Sequence, residues 1–325
     1  MEPFSKQLLI RLQLLCHQLL SLLPKVNKSG YDKVIFIYMV VALIVGFSSC
    51  ELINPEEEIP AYVEIMSPTL STAAGQGSAS EKITEVWVFV DDEFAGAFPI
   101  PATVPIFKSG MVKVRVEAGI RENGLRSTPD IYPFYTTYEQ TVNLEPNELV
   151  QIMPQIEYRS NAQVAFIENF ERGGTIFQTV VTGTSNSRIS INDTAPFEGQ
   201  GSGQISLSTS DPFVEIATSP RFRDLLENGN VVYVEMDYQS DIPLSVGIIG
   251  YNDDQEDPVA FAYQAGFNPS ETWNKIYFNL TPIVFASDAD EFQIVLRAGL
   301  PLDENATFTQ ETGLVLLDNI KLIHF

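Results

Sequence analysis

The sequence predicts an all-β protein, two β-sandwich domains one after the other behind an apolar leader. Two observations carry this. Residues 61–158 and residues 163–325 each hold a series of short segments in which apolar and polar side chains alternate, as they do in half-buried strands. Between those segments stand Gly, Pro, Asn and Asp clusters at the intervals of antiparallel sandwiches. A third observation separates the leader: fourteen uncharged, almost wholly apolar residues lie at 34–47, ahead of both series.

In the first series, Ala61-Tyr62-Val63-Glu64-Ile65 reads as one strand and Glu85-Val86-Trp87-Val88-Phe89-Val90 as the next, with a small-residue loop at 70–80 between them. Met111-Val112-Lys113-Val114-Arg115-Val116-Glu117 places charges on one face and aliphatics on the other. Asp91-Asp92-Glu93-Phe94-Ala95-Gly96 reads as a tight acidic turn, and Pro99, Pro101 and Pro105 punctuate the return. Residues 136–143 and 148–153 complete the unit. Trp87, in mid-strand, is expected in the core.

The second series opens with Val164-Ala165-Phe166-Ile167-Glu168-Asn169-Phe170-Glu171. A Gly-rich segment, Gly199-Gln200-Gly201-Ser202-Gly203, leads into Gln204-Ile205-Ser206-Leu207. Strands are predicted at 231–238, 244–251, 272–280 and 291–297, and a last one at 314–322.

Ahead of both units, residues 33–50 resemble a lipoprotein signal peptide. Lys28 and Lys33 precede fourteen uncharged residues, too few for a membrane span of about twenty, and Phe47-Ser48-Ser49-Cys50 resembles the bacterial lipobox. That resemblance implies a signal peptide at 26–49, a mature chain starting at a diacylated Cys50, and attachment to the outer membrane, on its periplasmic face or at the cell surface. The Leu-rich stretch within residues 1–25 is either an amphipathic surface helix or upstream sequence translated in error, with initiation at Val26. Residues 50–60, with Glu56-Glu57-Glu58 between prolines, read as an extended acidic tether; such acids near the lipidated cysteine resemble the surface-export signal of Bacteroidota lipoproteins.

The chain carries 42 acidic and 19 basic side chains, a net charge of −23, which opposes binding to nucleic acid or anionic lipid headgroups. Its two cysteines are Cys16 and Cys50 and its two histidines His17 and His324. From Cys50 onward no cysteine pair remains to form a disulfide, and nucleophilic triads and His/Cys zinc sites are all but excluded. With two sandwich units accounting for the rest of the chain, no separate catalytic domain is expected, and the chain is read as a non-enzyme.

The strand, acidic turn, proline-bounded crossing and Val-x-Val-x-Val strand of residues 61–158 resemble PEGA-like and other immunoglobulin-like modules, which implies a stalk. Residues 163–325 resemble the galactose-binding-like jelly rolls that include many carbohydrate-binding modules. The resemblance rests on Asn169-Phe170-Glu171, on residues 201–206, on Trp273 and on the closing Asp318-Asn319-Ile320-Lys321-Leu322. It implies a structural calcium ion held by Glu171 and Asp318 with carbonyls near Gln200 to Ser202, and a glycan ligand held by aromatic faces and polar loop residues. Ligand-binding candidates are Tyr238, Tyr251, Asp253, Asp254 and Tyr263, each of which is otherwise a core or solvated-loop residue; Trp273 is expected to pack rather than to bind. The partner is then a polysaccharide or, alternatively, an envelope protein, with the chain acting as an accessory subunit of an outer-membrane assembly or secretion complex.

Overall fold

The computed structural model describes residues 58–325, apart from 184–187, 228–230, Asp254 and Ala265, together with Ile35 and Tyr38. Cys50, all of the expected signal peptide but Ile35 and Tyr38, and most of the expected tether lie outside the described residues, as does Asp254. Among the described residues no helix is long and apolar enough to cross a membrane. The segment Ile59–Phe325 is one compact unit and is all-β, with two sandwiches in sequence.

The first sandwich contains β1 (Ala61–Ile65), β2 (Thr69–Ser71), β3 (Glu85–Val90), β4 (Glu93–Pro99), β5 (Ala102–Ile106), β6 (Gly110–Arg121), β7 (Pro129–Ile131), β8 (Tyr138–Leu144), β9 (Leu149–Ile152) and β10 (Gln155–Glu157). A five-stranded sheet runs β4-β3-β6-β7, with β8 also on β6; a three-stranded sheet runs β5-β1-β9; β10 and β2 pair separately. Alternation decides the core. Val86, Val88 and Val90 of β3 and Val112, Val114 and Val116 of β6 point inward against Val63, Ile65 and Val104, each burial stabilising by about 1.5–3 kcal/mol.

The turn at 91–96 is shorter than expected. Asp91 and Asp92 both take positive φ, 50° and 67°, the mark of a two-residue hairpin turn, and Glu93 already starts the edge strand β4. Because β3 has a period of two, Trp87 and Phe89 fall on the opposite face from the three valines, half-buried on the outside of the sheet. The core position expected for Trp87 is thus corrected by one step of register.

The second sandwich contains β11 (Gln163–Glu168), β12 (Phe177–Thr182), β13 (Ser190–Asn192), β14 (Ser202–Ser208), β15 (Phe213–Thr218), β16 (Phe222–Arg223), β17 (Val232–Ser240), β18 (Leu244–Tyr251), β19 (Ala260–Tyr263), β20 (Ser270–Asn279), helix α1 (Thr281–Ser287), β21 (Glu291–Gly299) and β22 (Thr312–His324). One six-stranded sheet runs β13-β14-β22-β17-β20 with β11 on β22; the other runs β12-β15-β21-β18-β19 with β16 on β21. Their inner faces meet in a core that includes Ile205, Val234, Met236, Ile248, Ile294, Leu317 and Leu322.

The two sandwiches share a third core. Ile120, Tyr132, Phe134, Tyr135, Ile156 and Tyr158 of the first pack against Tyr233, Tyr277 and Ile323 on the outer face of β17, β20 and β22. The Tyr132 ring lies edge-on to Tyr233, centroids 5.4 Å apart. Backbone joins too: the Asn123 amide donates to the Tyr277 carbonyl at 2.8 Å, and the Lys82 amide to the Tyr277 hydroxyl oxygen at 2.9 Å. The first sheet of the second sandwich is therefore covered over much of its outer face, and its second sheet carries the face considered next.

Candidate functional site: the outer face of the second sheet

The register of β15, β21, β18 and β19 fixes which side chains share this face. Glu215 pairs with Arg297 and Arg297 with Ser245; Ala217 pairs with Val295, Val295 with Gly247, and Gly247 with Tyr263; Gln293 pairs with Ile249 and Ile249 with Phe261. The alternating residues Ile216, Leu296, Val246, Ile248 and Ala262 face the core. Ala217, Ile249, Tyr251 and Val295 form a small apolar floor, flanked by Val181 and Tyr263.

Over that floor sits an ordered set of rings and charges. A side chain at 247 would put its Cβ 2.3 Å from the Ala262 carbonyl oxygen and 2.7 Å from Tyr263 Cδ1, so glycine is what lets the Tyr263 ring lie against the sheet. The Tyr263 hydroxyl donates to Glu215 Oε1 at 2.8 Å. Burial and then the Glu215 carboxylate push that phenol up, keeping it neutral. The Arg297 guanidinium lies 5.2 Å from the centroids of both Tyr263 and Phe213 and 3.7 Å from Glu215 Oε1. Phe261 is 54% exposed on the same face.

At one end the Arg221 guanidinium stacks 3.5 Å from the Tyr251 ring centroid, and the Tyr251 hydroxyl donates to Gln293 Oε1 at 2.5 Å. Arg221 also pairs with Glu291 at 3.2 Å, and Arg223 pairs with Glu291 at 2.5 Å and with Asp253. Asp253 thus anchors the loop after β18 through an ion pair and is not a free carboxylate for a cation or a sugar.

Of the residues predicted as ligand-binding, Tyr251 and Tyr263 come together here with Asp253 at the margin. Tyr238 does not. It belongs to the other sheet, with its ring in the core against Phe267, centroids 4.4 Å apart, because position 238 falls in phase with Val234 and Met236. Only its hydroxyl side reaches a cleft of about 300 Å³ between the sandwiches, lined by Lys82, Asn123, Asn268 and Asn274. Phe213, Glu215, Phe261, Gln293 and Arg297 were not foreseen. The alternation of polar Glu215 and Arg297 with core aliphatics in 213–218 and 291–297 was the available signal.

Glu171 and Asp318 line one cleft of about 270 Å³ with Asn169, Glu198 and Asn319. Their oxygens meet amides rather than an oxygen cage. Glu171 Oε1 accepts from the Gln200 and Gly201 amides at 2.7 and 3.0 Å, and Asp318 from the Glu198 and Asn319 amides at 3.2 and 2.8 Å. Calcium takes six to eight oxygens; the segment expected to offer carbonyls presents N–H groups, and among the described residues no three or more of His, Cys, Asp and Glu are grouped to hold a metal. The donor set, as it stands, does not fit calcium.

The motif has a structural reason instead. Asn319 takes φ 48° in a bulge where the pairing of β17 with β22 jumps from Glu235 with Lys321 to Asp237 with Asp318. Phe170, also at positive φ, fills the space over Gly203, where a Cβ would lie 2.5 Å from the ring.

A second cleft on the first sheet, about 510 Å³, is lined by Gln239, Ser240, Asp241, Pro269, Ser270, Glu271, Leu314 and Leu316 and presents no aromatic ring. Trp273 pairs with Phe197, centroids 5.6 Å apart.

No family model matches this chain, and no curated protein matches it in sequence. Among solved structures, the chain is similar to the xylan-binding domain CBM22-1 of Paenibacillus barcinonensis at 13% identity and a TM-score of 0.33, over 50% of this chain and 94% of that one. A structure titled for the promiscuous specificity of carbohydrate-binding modules of the β-sandwich superfamily matches at 13% identity and a TM-score of 0.34, over 73% of this chain and 84% of that one. The enzymatically active domain of bacteriophage CBA120 tailspike protein 4 matches at 14% identity and a TM-score of 0.34, over 48% of this chain and 21% of that one.

Proposed function

We propose that the chain is a glycan-binding protein whose second sandwich takes a saccharide on the outer face of the β12-β15-β21-β18-β19 sheet. The observation that supports it most is the Tyr263 arrangement. An aromatic ring laid against the sheet over Gly247 offers a surface to the C–H face of a sugar. Beside it, Glu215 and Arg297 supply an acceptor and donors for hydroxyls, already oriented by their contacts with each other and with the ring.

On this reading the protein works at the cell envelope, attached to the outer membrane through lipid on Cys50. Palmitate labelling that disappears in Cys50→Ala tests the anchor. Affinity electrophoresis of the full-length protein through gels containing neutral polysaccharides tests the ligand. Retardation by at least one of them, strongly reduced in Tyr263→Ala and less so in Arg297→Ala, is the expected result. Equal retardation of wild type and both variants would show that the sugar sits elsewhere.

A further inference from the structure

The first sandwich, expected to be a passive stalk, carries an aromatic strip of its own on the outside of its five-stranded sheet. Trp87 and Phe89 of β3 face outward, and Phe94 of the edge strand β4 lies beside both, its ring centroid 5.5 Å from Trp87 and 5.3 Å from Phe89. Phe94 is 55% exposed. The Arg115 guanidinium covers the far side of the strip, 3.7 Å from the Phe89 centroid.

None of these rings belongs to the core, which is closed by the valines on the other face. The Trp87 indole N–H has no acceptor among the described residues, a cost of about 1–3 kcal/mol that a phenylalanine at the same place would avoid. Its neighbour across the hairpin is Ala97, exposed and small, and Trp87 itself is only half-buried. Packing alone therefore does not account for a tryptophan here.

The charges around the strip define what it takes. Lys108 pairs with Asp91 at 3.0 Å, Lys113 with Asp92 at 2.9 Å, and Arg115 with Glu117 and with Asp92. Each cation is already matched, so the surroundings offer no net attraction to a polyanion, and the chain's overall charge of −23 repels one. Three adjoining rings bordered by hydrogen-bonding groups suit a neutral, hydroxylated polymer, whose C–H faces need flat apolar area and whose hydroxyls need polar borders.

We infer that Trp87, Phe89 and Phe94 form a second glycan-binding surface, on the first sandwich, for neutral polysaccharide; this rests on the glycan reading of the second sandwich. Because the shared core fixes the two sandwiches to one another, the two surfaces form a bivalent binder, and losing either weakens attachment to a polymer more than to a short oligosaccharide.

The only tryptophans are Trp87 and Trp273, so full-length Trp273→Phe reports on this surface alone. With a polysaccharide that retards the wild type, Trp87 emission is expected to shift on titration, and to shift still when Tyr263→Ala is added. Phe94→Ala, at an exposed position, and Ala97→Arg, which removes no packing, should each weaken polymer affinity about tenfold. Retardation by a glycan with Trp87 emission unmoved overturns this inference and leaves the second-sandwich site standing. No retardation by any neutral glycan overturns both. A dimer in sedimentation that Phe94→Ala dissociates assigns the strip to a second copy of the chain and also overturns it.

Discussion

Tyr158, where the first sandwich ends, donates its hydroxyl to both carboxylate oxygens of Glu235 in the second, at 3.0 and 2.8 Å. Glu235 is wholly buried and faces the ammonium groups of Lys275 at 3.2 Å and Lys321 at 3.6 Å. Burial pushes its carboxyl up, but Lys321, Lys275 and the hydroxyls of Tyr132 and Tyr158 outweigh burial and hold it at about 2. Glu235→Gln leaves Lys275 with only Asp237, at 4.0 Å, and Lys321 with the Tyr158 hydroxyl, at 2.8 Å, and is expected to destabilise the protein by about 3 kcal/mol, and Tyr158→Phe by about 1–2 kcal/mol. Urea unfolding measures both. A Glu235→Gln protein as stable as wild type would show that the ion cluster is not what joins the sandwiches.

That junction predicts cooperative unfolding. Trp87 reports on the first sandwich and Trp273 on the second. The single-tryptophan proteins Trp273→Phe and Trp87→Phe should each unfold in one transition, and the Trp273→Phe curve should show the first sandwich melting together with the far-UV signal of the whole chain. Two resolved steps by circular dichroism, with Trp87 following only one, would mean that the sandwiches unfold separately.

Asp318 gives a pH signature. Burial, relieved in part by the Glu198 and Asn319 amides, raises its carboxyl to about 6 from an unfolded value of 3.8. Between those values the folded state holds a proton that the unfolded state has released, so this group's contribution to stability falls as pH rises through the window. The melting temperature of wild type minus that of Asp318→Asn should decrease from about pH 4 to pH 6 and then level off. A difference independent of pH would show an unshifted carboxyl.

Much of the fold was legible in the sequence, and the misses have physical causes. Strands buried on one face, such as β1 and β3, announce themselves by alternation, and β18, buried on both, by its apolar run; residues 61–65, 85–90 and 244–251 coincide with them residue for residue. Strand β4 was hidden because Ala95-Gly96-Ala97 lacks bulk on either face and two aspartates at positive φ compress the turn before it. The candidate site was half legible. Tyr251 and Tyr263 stand on one face because both lie outward in paired strands, while Tyr238 looks the same in sequence but sits one sheet away and in the opposite phase. Glu171 and Asp318 line one cleft, and the residues around them make a bulge and an amide clasp. Composition gave no sign that the two sandwiches share a core, since Tyr132, Tyr158 and Glu235 meet only in three dimensions.

Gly247 is where the site depends on the absence of a side chain. Gly247→Ala would force β19 and the Tyr263 ring away from β18, so glycan affinity should fall about fivefold or more while the first sandwich keeps its native signals. Affinity electrophoresis reads the first and Trp87 emission the second. Unchanged affinity would mean that the position of the Tyr263 ring does not matter to binding.

The central claim is that the glycan lies on the outer face of the second sheet, and methyl NMR of the full-length protein tests it most directly. On titration with a retarding saccharide, the methyl signals of Val181, Ile249 and Val295 should shift, while those of Ile248 and Ile294, on the inner face of the same strands, stay in place. Shifts confined to Leu314 and Leu316, with Ile249 and Val295 unmoved, would place the ligand in the cleft on the other sheet and contradict the account.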